Sequence, residues 1–496
     1  MTESIKVRRD KSCTFIVTDQ RIDRRVLDQA NSLVKVGWKV YVIARSCSEG
    51  IARDDQSSYP NVTIVRADES NLGTVPQSID VRAVTQASRE LPYWFWNQYW
   101  KFGAYILRAA LGYPASIFVA VDLTTLPVTA VLANFFNASL VYDSHELFIE
   151  QVSLHPTDRR TLENYEYWLA PLADRVVTIN DSVAALLAQR LRINAPDVVL
   201  NCPSIELEPS AVNGARVLHE QLQLPTEKKI LLFQGGLVRE VRNIENLVAA
   251  MKLVKNSEVA LVLMGPATPD FRKELEDSAR ADGTFGRSVF ILDAISQRRL
   301  LEVTMSADVG IIPYPAVDLN TFYCTPNKLF EYLSVGIPIL ANDLPELTRF
   351  VTGNGVGWNA PMNSAESIAT AIDSFFSLDL SLFKSRAKQL ALQYTWEAQE
   401  SYVQQIFSEV LQDRDNSWTI RRLLKLSEVN LRHGRNNVAR QKIEQAKTLW
   451  QEMVRTSPTP QSPLHVEQVK DVMIAEPSNT ISELATKALR HYTLTR

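Results

Sequence analysis

Apolar positions along the chain fall into short runs, separated by stretches in which they recur at helical spacing. Residues 14–18 (TFIVT) are apolar and β-branched, which predicts a buried strand. After the polar loop 19–25, Val26, Ala30, Leu33 and Val34 recur at helical spacing, and Gly37 ends that helix. Residues 39–44 (KVYVIA) are the next strand. Strand, helix and strand within about thirty residues make a βαβ unit and imply a parallel sheet. Further strands are expected over 61–66, 116–121, 139–142, 175–179 and 198–200. Several end in polar residues: Asp122; Asp143-Ser144-His145-Glu146; Asn180-Asp181-Ser182; Asn201-Cys202-Pro203. In open parallel sheets that edge is where ligands bind.

A second alternating series begins near Lys229, with strands over 230–233, 260–264, 289–292, 309–313 and 337–341. The polar stretch 206–227 between the two series has the composition of an interdomain linker and contains one helical segment. The pattern therefore predicts an α/β chain of two doubly wound, Rossmann-like domains with a cleft between them. The expected bounds are 1–205 and 206–412, the last helix returning to the first domain, with an α-helical extension over 413–496. A single continuous sheet is disfavoured, because open sheets rarely exceed about ten strands.

Composition narrows the function classes. The chain has 496 residues and a net charge of −3, too balanced for a nucleic-acid binder that works by bulk positive charge. At 46% hydrophobic residues it is too apolar to be disordered. It has no run of eighteen apolar residues, and residues 1–11 lack a signal-peptide core, so a cytoplasmic protein is expected. The four cysteines form no CxxC pair, and of six histidines only His145 and His155 fall in the first two hundred residues. No metal site is expected from that distribution.

Two segments stand apart. Residues 91–111 (LPYWFWNQYWKFGAYILRAAL) concentrate Trp94, Trp96 and Trp100 within a few turns. Such a helix suits peripheral contact with a membrane, at its inner face, or packing on the first domain or a partner. In the tail, Leu424, Leu426, Val429, Ala439, Ile443 and Ala446 keep helical spacing, with Gly434 at the break. The segment resembles one tetratricopeptide helical hairpin. A single hairpin cannot bury its own apolar face, so it either recruits a protein partner or braces the core. Residues 467–489 suggest further helices.

Candidate chemistry concentrates in the second domain. Phe233-Gln234-Gly235-Gly236-Leu237 follows a strand, and Arg242 precedes a helix. Two glycines allow close backbone approach, and arginine offers a planar fork to phosphate. Neither GxGxxG nor GxxxxGK[ST] occurs, so a dinucleotide-binding or P-loop reading gains no support. Further on, a loop with Asn320 leads to Pro326-Asn327-Lys328, which opens a helix carrying Glu331. Lys328 and Glu331, three apart, share one helix face. A cation for phosphate beside a carboxylate for ribose hydroxyls would make a nucleotide clamp.

These motifs, together with PNKLFEYLSVGIPILANDLPEL, TDQRIDRRVLDQANSLVKVGWKV and VYDSHELFIEQ, resemble the family 4 retaining glycosyltransferases of the GT-B fold over residues 12–410. The resemblance implies a nucleotide diphospho-sugar donor as co-substrate, no cofactor, no metal, and transfer with retention in polysaccharide or glycolipid assembly. It places Glu331 on the nucleotide ribose, Arg242 and Lys328 on the diphosphate, and His145 near the donor sugar. Gly235, Gly236, Asn320 and Asn327 fall in the same donor region. Asp143 is expected to orient His145, to meet the acceptor or to cap the next helix. Arg21 is placed either near phosphate or an anionic acceptor or at a charged helix start. The acceptor is expected to be a carbohydrate or a lipid-linked sugar, and no nucleic acid is implied.

The chain departs from the family pattern twice. Eight residues before Glu331, where the family carries a first glutamate, stands Tyr323. Backbone amides over 322–325, or Asn320, are the candidates to replace its contacts. The first loop, glycine-rich in many relatives, carries Asp19, Arg21, Asp23, Arg24 and Arg25. A GT-B sugar-nucleotide epimerase and a catalytically silent scaffold are the alternative readings.

Overall fold

The computed structural model describes residues 10–68, 79–91, 100–205, 216–414 and 418–456. The chain divides into two compact units. Unit 1 comprises residues 1–149, 155–198 and 402–496; unit 2 comprises 150–154 and 199–401.

Among the described residues unit 1 is built on seven strands: β1 (Ser12–Ile16), β2 (Lys39–Arg45), β3 (Thr63–Ala67), β4 (Ile117–Val121), β5 (Ser139–Asp143), β6 (Arg175–Thr178) and β7 (Asp197–Val198). Their order is β3-β2-β1-β4-β5-β6-β7, and every pair is parallel. In the register, Thr14 lies between Tyr41 and Phe118. All five residues of β1, of β4 and of β5 are buried, which accounts for their unbroken apolar runs: helices cover both faces of such a sheet. The polar loop after β1 ends where the Asp23 carboxylate accepts the Arg25 backbone N–H and so caps the helix Arg24–Lys35. Val26, Leu27, Ala30 and Leu33 of that helix are buried, and Gly37 leaves it at φ 84°.

Among the described residues unit 2 has six strands: β8 (Lys229–Gln234), β9 (Val259–Met264), β10 (Val289–Leu292), β11 (Val309–Ile312), β12 (Ile339–Ala341) and β13 (Gly357–Asn359). The order β10-β9-β8-β11-β12-β13 is again wholly parallel. β13 is absent from the sequence expectation. It is three residues (GWN) with no apolar run, and it exists through pairing with Ile339–Ala341. In both sheets the strand order reverses once, between β1 and β4 and between β8 and β11. Ligands of doubly wound sheets bind at such reversals, outside the carboxyl ends of the strands.

Within the polar stretch 206–227 the structure describes a helix, Val217–Leu222; residues 206–215 lie outside the described residues. Of the aromatic segment, Trp94 and Trp96 lie outside them too. The helix Trp100–Ala110 buries Tyr105, Ile106, Leu107 and Ala110 in unit 1. Among its described residues the tail forms two helices, Trp418–Arg432 and Asn436–Thr456, packed on each other and on their own unit. Lys442 Nζ lies 2.5 Å from Glu90 Oε1, Asn430 donates to the Glu90 carbonyl, and Arg422 donates to the Ala138 carbonyl. Trp418, Ile420, Leu426, Val429, Ala439, Ile443 and Ala446 are buried. The apolar face that a lone hairpin leaves open is thus covered by the chain itself. Residues 467–489 are not among the described residues. Among those described, no helix is long and apolar enough to cross a membrane.

Candidate active site

Unit 1 gathers charge at the carboxyl ends of its central strands. Asp143, the last residue of β5, is 1% exposed. Its carboxylate accepts from Arg25 Nη2 at 2.6 Å, from Gln29 Nε2 at 2.6 Å and from His145 Nε2 at 3.1 Å. Arg25 and Gln29 are one helical turn apart and reach it from the same face of Arg24–Lys35. Burial alone would raise the Asp143 pKa, but Arg25 and His145 outweigh it and hold the carboxyl at about 2. Asp143 is thus bonded to the His145 ring. Arg21, the arginine expected at this site, is exposed; Arg25 is the one fully buried.

Asp122 is a further member, placed directly after β4. Its carboxylate accepts the His145 backbone N–H at 3.0 Å and lies 3.9 Å from His145 Nδ1. Its backbone sits at φ 61°, ψ 167°, a region that costs a non-glycine residue about 1–3 kcal/mol. Burial raises the Asp122 pKa to about 7, with His145 pulling the other way. For His145, burial favours the neutral ring, but Asp143 and Asp122 outweigh it and lift the pKa to about 9. The side chain is therefore an imidazolium near neutral pH, still 13% exposed, with donors on both nitrogens.

In unit 2 the loop after β8 and the helix Asn327–Ser334 bring the other candidates together. Lys328 is 5% exposed. Its ammonium donates to the Tyr314 hydroxyl and stands 4.7 Å from the Phe233 ring centroid. The Arg242 guanidinium lies 4.2 Å over the Tyr314 ring. Gly235 (φ 117°) makes room for this: a Cβ there would stand 3.2 Å from Lys328 Nζ. Gly236 continues the same turn. Burial pushes the thiol of neighbouring Cys324 up to about 12, against the opposing pull of Arg242 and Lys328.

Glu331 is buried on the same helix, where its Oε2 accepts from Gln234 Nε2 at 2.6 Å. Gln234 Oε1 in turn accepts from Thr304 Oγ1 at 2.7 Å. A hydrogen bond to a charged acceptor stabilises by about 1.5–3 kcal/mol, enough to hold Glu331 in one orientation. Asn327 Oδ1 accepts from Asn201 Nδ2 at 2.8 Å. Asn320 lies within the short helix Leu319–Phe322, and Tyr323 follows it, its ring packed edge-on against Phe322. Unit 2 thus brings Gly235, Arg242, Lys328 and Glu331 to the ends of β8 and β11. Sequence reasoning missed Gln234, Thr304 and Tyr314 here, and Arg25, Gln29 and Asp122 in unit 1. Each is joined to its partner across a long sequence separation, and only the polar strand ends pointed toward them.

Comparison with known proteins fits this geometry. Residues 22–203 match the family model described as "Glycosyl transferase 4-like domain", and residues 228–377 match "Glycosyl transferases group 1". Solved structures cover both units. Anabaena HepE in complex with UDP-glucose superposes with a TM-score of 0.62 at 14% identity, covering 80% of this chain and 99% of that one. The chain has the GT-B fold of the glycosyltransferases. Sucrose-phosphate synthase from Thermosynechococcus elongatus shares this GT-B architecture, with a TM-score of 0.61 at 18% identity over 81% of this chain and 99% of its own. In sequence, the chain is 26% identical over 272 residues to "Probable glycosyltransferase WbjE" of Pseudomonas aeruginosa. That match takes in 53% of this chain and spans 65% of the relative's length.

Proposed function

We propose that this GT-B chain moves a sugar from a nucleoside diphospho-sugar to an acceptor hydroxyl with retention, in polysaccharide or glycolipid assembly. One observation carries the reading: Arg242 and Lys328, from different elements, converge on Tyr314 beside Gly235 while Glu331 is held one helical turn on. Two glycosyltransferase domain matches and a structural neighbour solved in complex with UDP-glucose support it.

In this reading Glu331 holds the ribose hydroxyls, and Arg242 and Lys328 take the charge that grows on the departing diphosphate. The bond from the anomeric carbon to the phosphate oxygen breaks as the acceptor oxygen bonds to the same face. The acceptor proton passes to the leaving phosphate. The His145 imidazolium donates to a hydroxyl of the transferred sugar, and Asp143 positions it. The amides over 322–325, or Asn320, take the contacts that a carboxylate at position 323 would make. Arg21, being exposed, is available to an anionic acceptor. The two cations do the work of a metal, so EDTA should leave turnover unchanged; a loss restored by a divalent ion would contradict this.

Turnover with UDP-, GDP- and ADP-sugars, followed by nucleotide release and product analysis, tests the reading. Nucleoside diphosphate release with a glycosylated acceptor is expected. A sugar nucleotide changed only in its stereochemistry would favour the epimerase, and absence of any nucleotide binding would favour the scaffold. Glu331→Ala should weaken nucleotide affinity about tenfold, the loss of one charged hydrogen bond. Unchanged affinity, with the apo melting temperature as a folding control, would remove Glu331 from the clamp.

A further inference from the structure

Lys328 raises a question that the donor reading alone does not answer. An ammonium 5% exposed is costly unless it is neutralised. Among the described residues no carboxylate forms an ion pair with Lys328 or with Arg242. Both cations sit on one side chain. The Lys328 ammonium donates to the Tyr314 hydroxyl and lies 4.6 Å from the ring centroid; the Arg242 guanidinium lies 4.2 Å from it.

We propose that Tyr314 is a positioning residue that sets the spacing of Arg242 and Lys328 to match a diphosphate rather than a single phosphate. The inference rests on the donor-site reading above and adds the element that shapes its specificity. Long cationic side chains lose rotamer freedom when held in place, so two of them converge only if something fixes both. The phenol ring attracts the guanidinium through its electron-rich face, and its oxygen accepts from the ammonium. Together they hold two like charges near one another without cancelling either. The resulting paired positive field is left for an anion with two charged centres.

The ring is itself well fixed. Tyr314 is 2% exposed, and its backbone carbonyl accepts from Asn342 Nδ2 at 2.8 Å. The loop that delivers Arg242 is tied down one residue further on. Buried Asn243, at φ 59°, donates to the Pro313 carbonyl at 3.0 Å and to the Met362 carbonyl at 2.7 Å. The pair 243–313 thus locks the backbone beside the pair 242–314. On the other side, Phe233 at the end of β8 packs near the Tyr314 ring and faces Lys328.

The test is equilibrium binding of UDP, GDP and ADP, each against its own monophosphate, to wild type, Tyr314→Phe and Tyr314→Leu. Wild type should favour one diphosphate over its monophosphate. Tyr314→Leu removes both contacts and should weaken that diphosphate about tenfold while moving monophosphate affinity less than about twofold. Tyr314→Phe keeps the ring under Arg242 and should recover most of the loss, and it serves as the folded variant if Leu disturbs the core. Equal losses of diphosphate and monophosphate in both variants, or no loss in either, overturn the positioning role while leaving the donor site standing. A wild type that binds no diphosphate overturns both.

Discussion

Asp143 is the residue on which the unit 1 site turns. It is buried, it is held at about 2, and it joins Arg25 to His145. Removing one partner of a buried ion pair costs about 3–5 kcal/mol, because the other charge is left uncompensated. Asp143→Ala should therefore lower the melting temperature by many degrees, and an unchanged melt would mean that Arg25 finds another acceptor. The linkage has a definite sign. His145 has its pKa raised from 6.5 to about 9, so its stabilising contribution is full below about pH 6.5 and is lost as pH rises through 9. Asp143 is depressed from 3.8 to about 2, so its contribution is full above about pH 3.8 and is lost as pH falls through 2. Asp122, raised from 3.8 to about 7, lowers stability progressively as pH rises from about 3.8 to 7, and by its full amount above that. The stability gap between wild type and His145→Gln should thus narrow between pH 6.5 and 9.5, as melting curves at several pH values will show; a constant gap would contradict the assigned charge. His145 and Asp143 were legible in the sequence, because polar residues closing an apolar strand mark a ligand edge. Arg25 was not. Five charged residues crowd the loop 19–25, and which arginine turns inward depends on where Asp23 starts the helix.

Most strands are visible in the chain because a parallel strand buried on both faces must be an unbroken apolar run. β13 escapes that rule: with three residues and one edge partner, its pairing comes from tertiary context. Helical spacing in the tail was equally plain, but its role was not, since spacing says that a face is apolar and not what covers it. The structure closes that face on unit 1 through Trp418, Asn430 and Lys442. Truncation after Arg414 would uncover the surface around Glu90 and Asp174 and should lower the melting temperature and promote aggregation. A truncated chain that melts as the full chain does would show that the two helices are not a brace. The donor loop follows a similar division. The sequence pointed to Gly235, Gly236 and Arg242, whereas Tyr314 and Gln234 meet their partners across separations that no local pattern reports.

Across the whole molecule, two sheets repeat one strand order, and each carries its candidate residues where that order reverses. The first reversal is acidic around one imidazolium; the second is cationic around one phenol. A net charge of −3 is compatible with both, because the cations that matter are two, placed together and not spread over a surface. The central claim is that this second reversal binds the diphosphate of a nucleotide sugar. Calorimetric titration of UDP, GDP and ADP into wild type and into the Arg242→Ala, Lys328→Ala double variant tests it most directly. The account predicts one saturable nucleoside diphosphate site per chain that is lost in the double variant. No binding of any of the three to wild type, or binding undiminished in the variant, would contradict it.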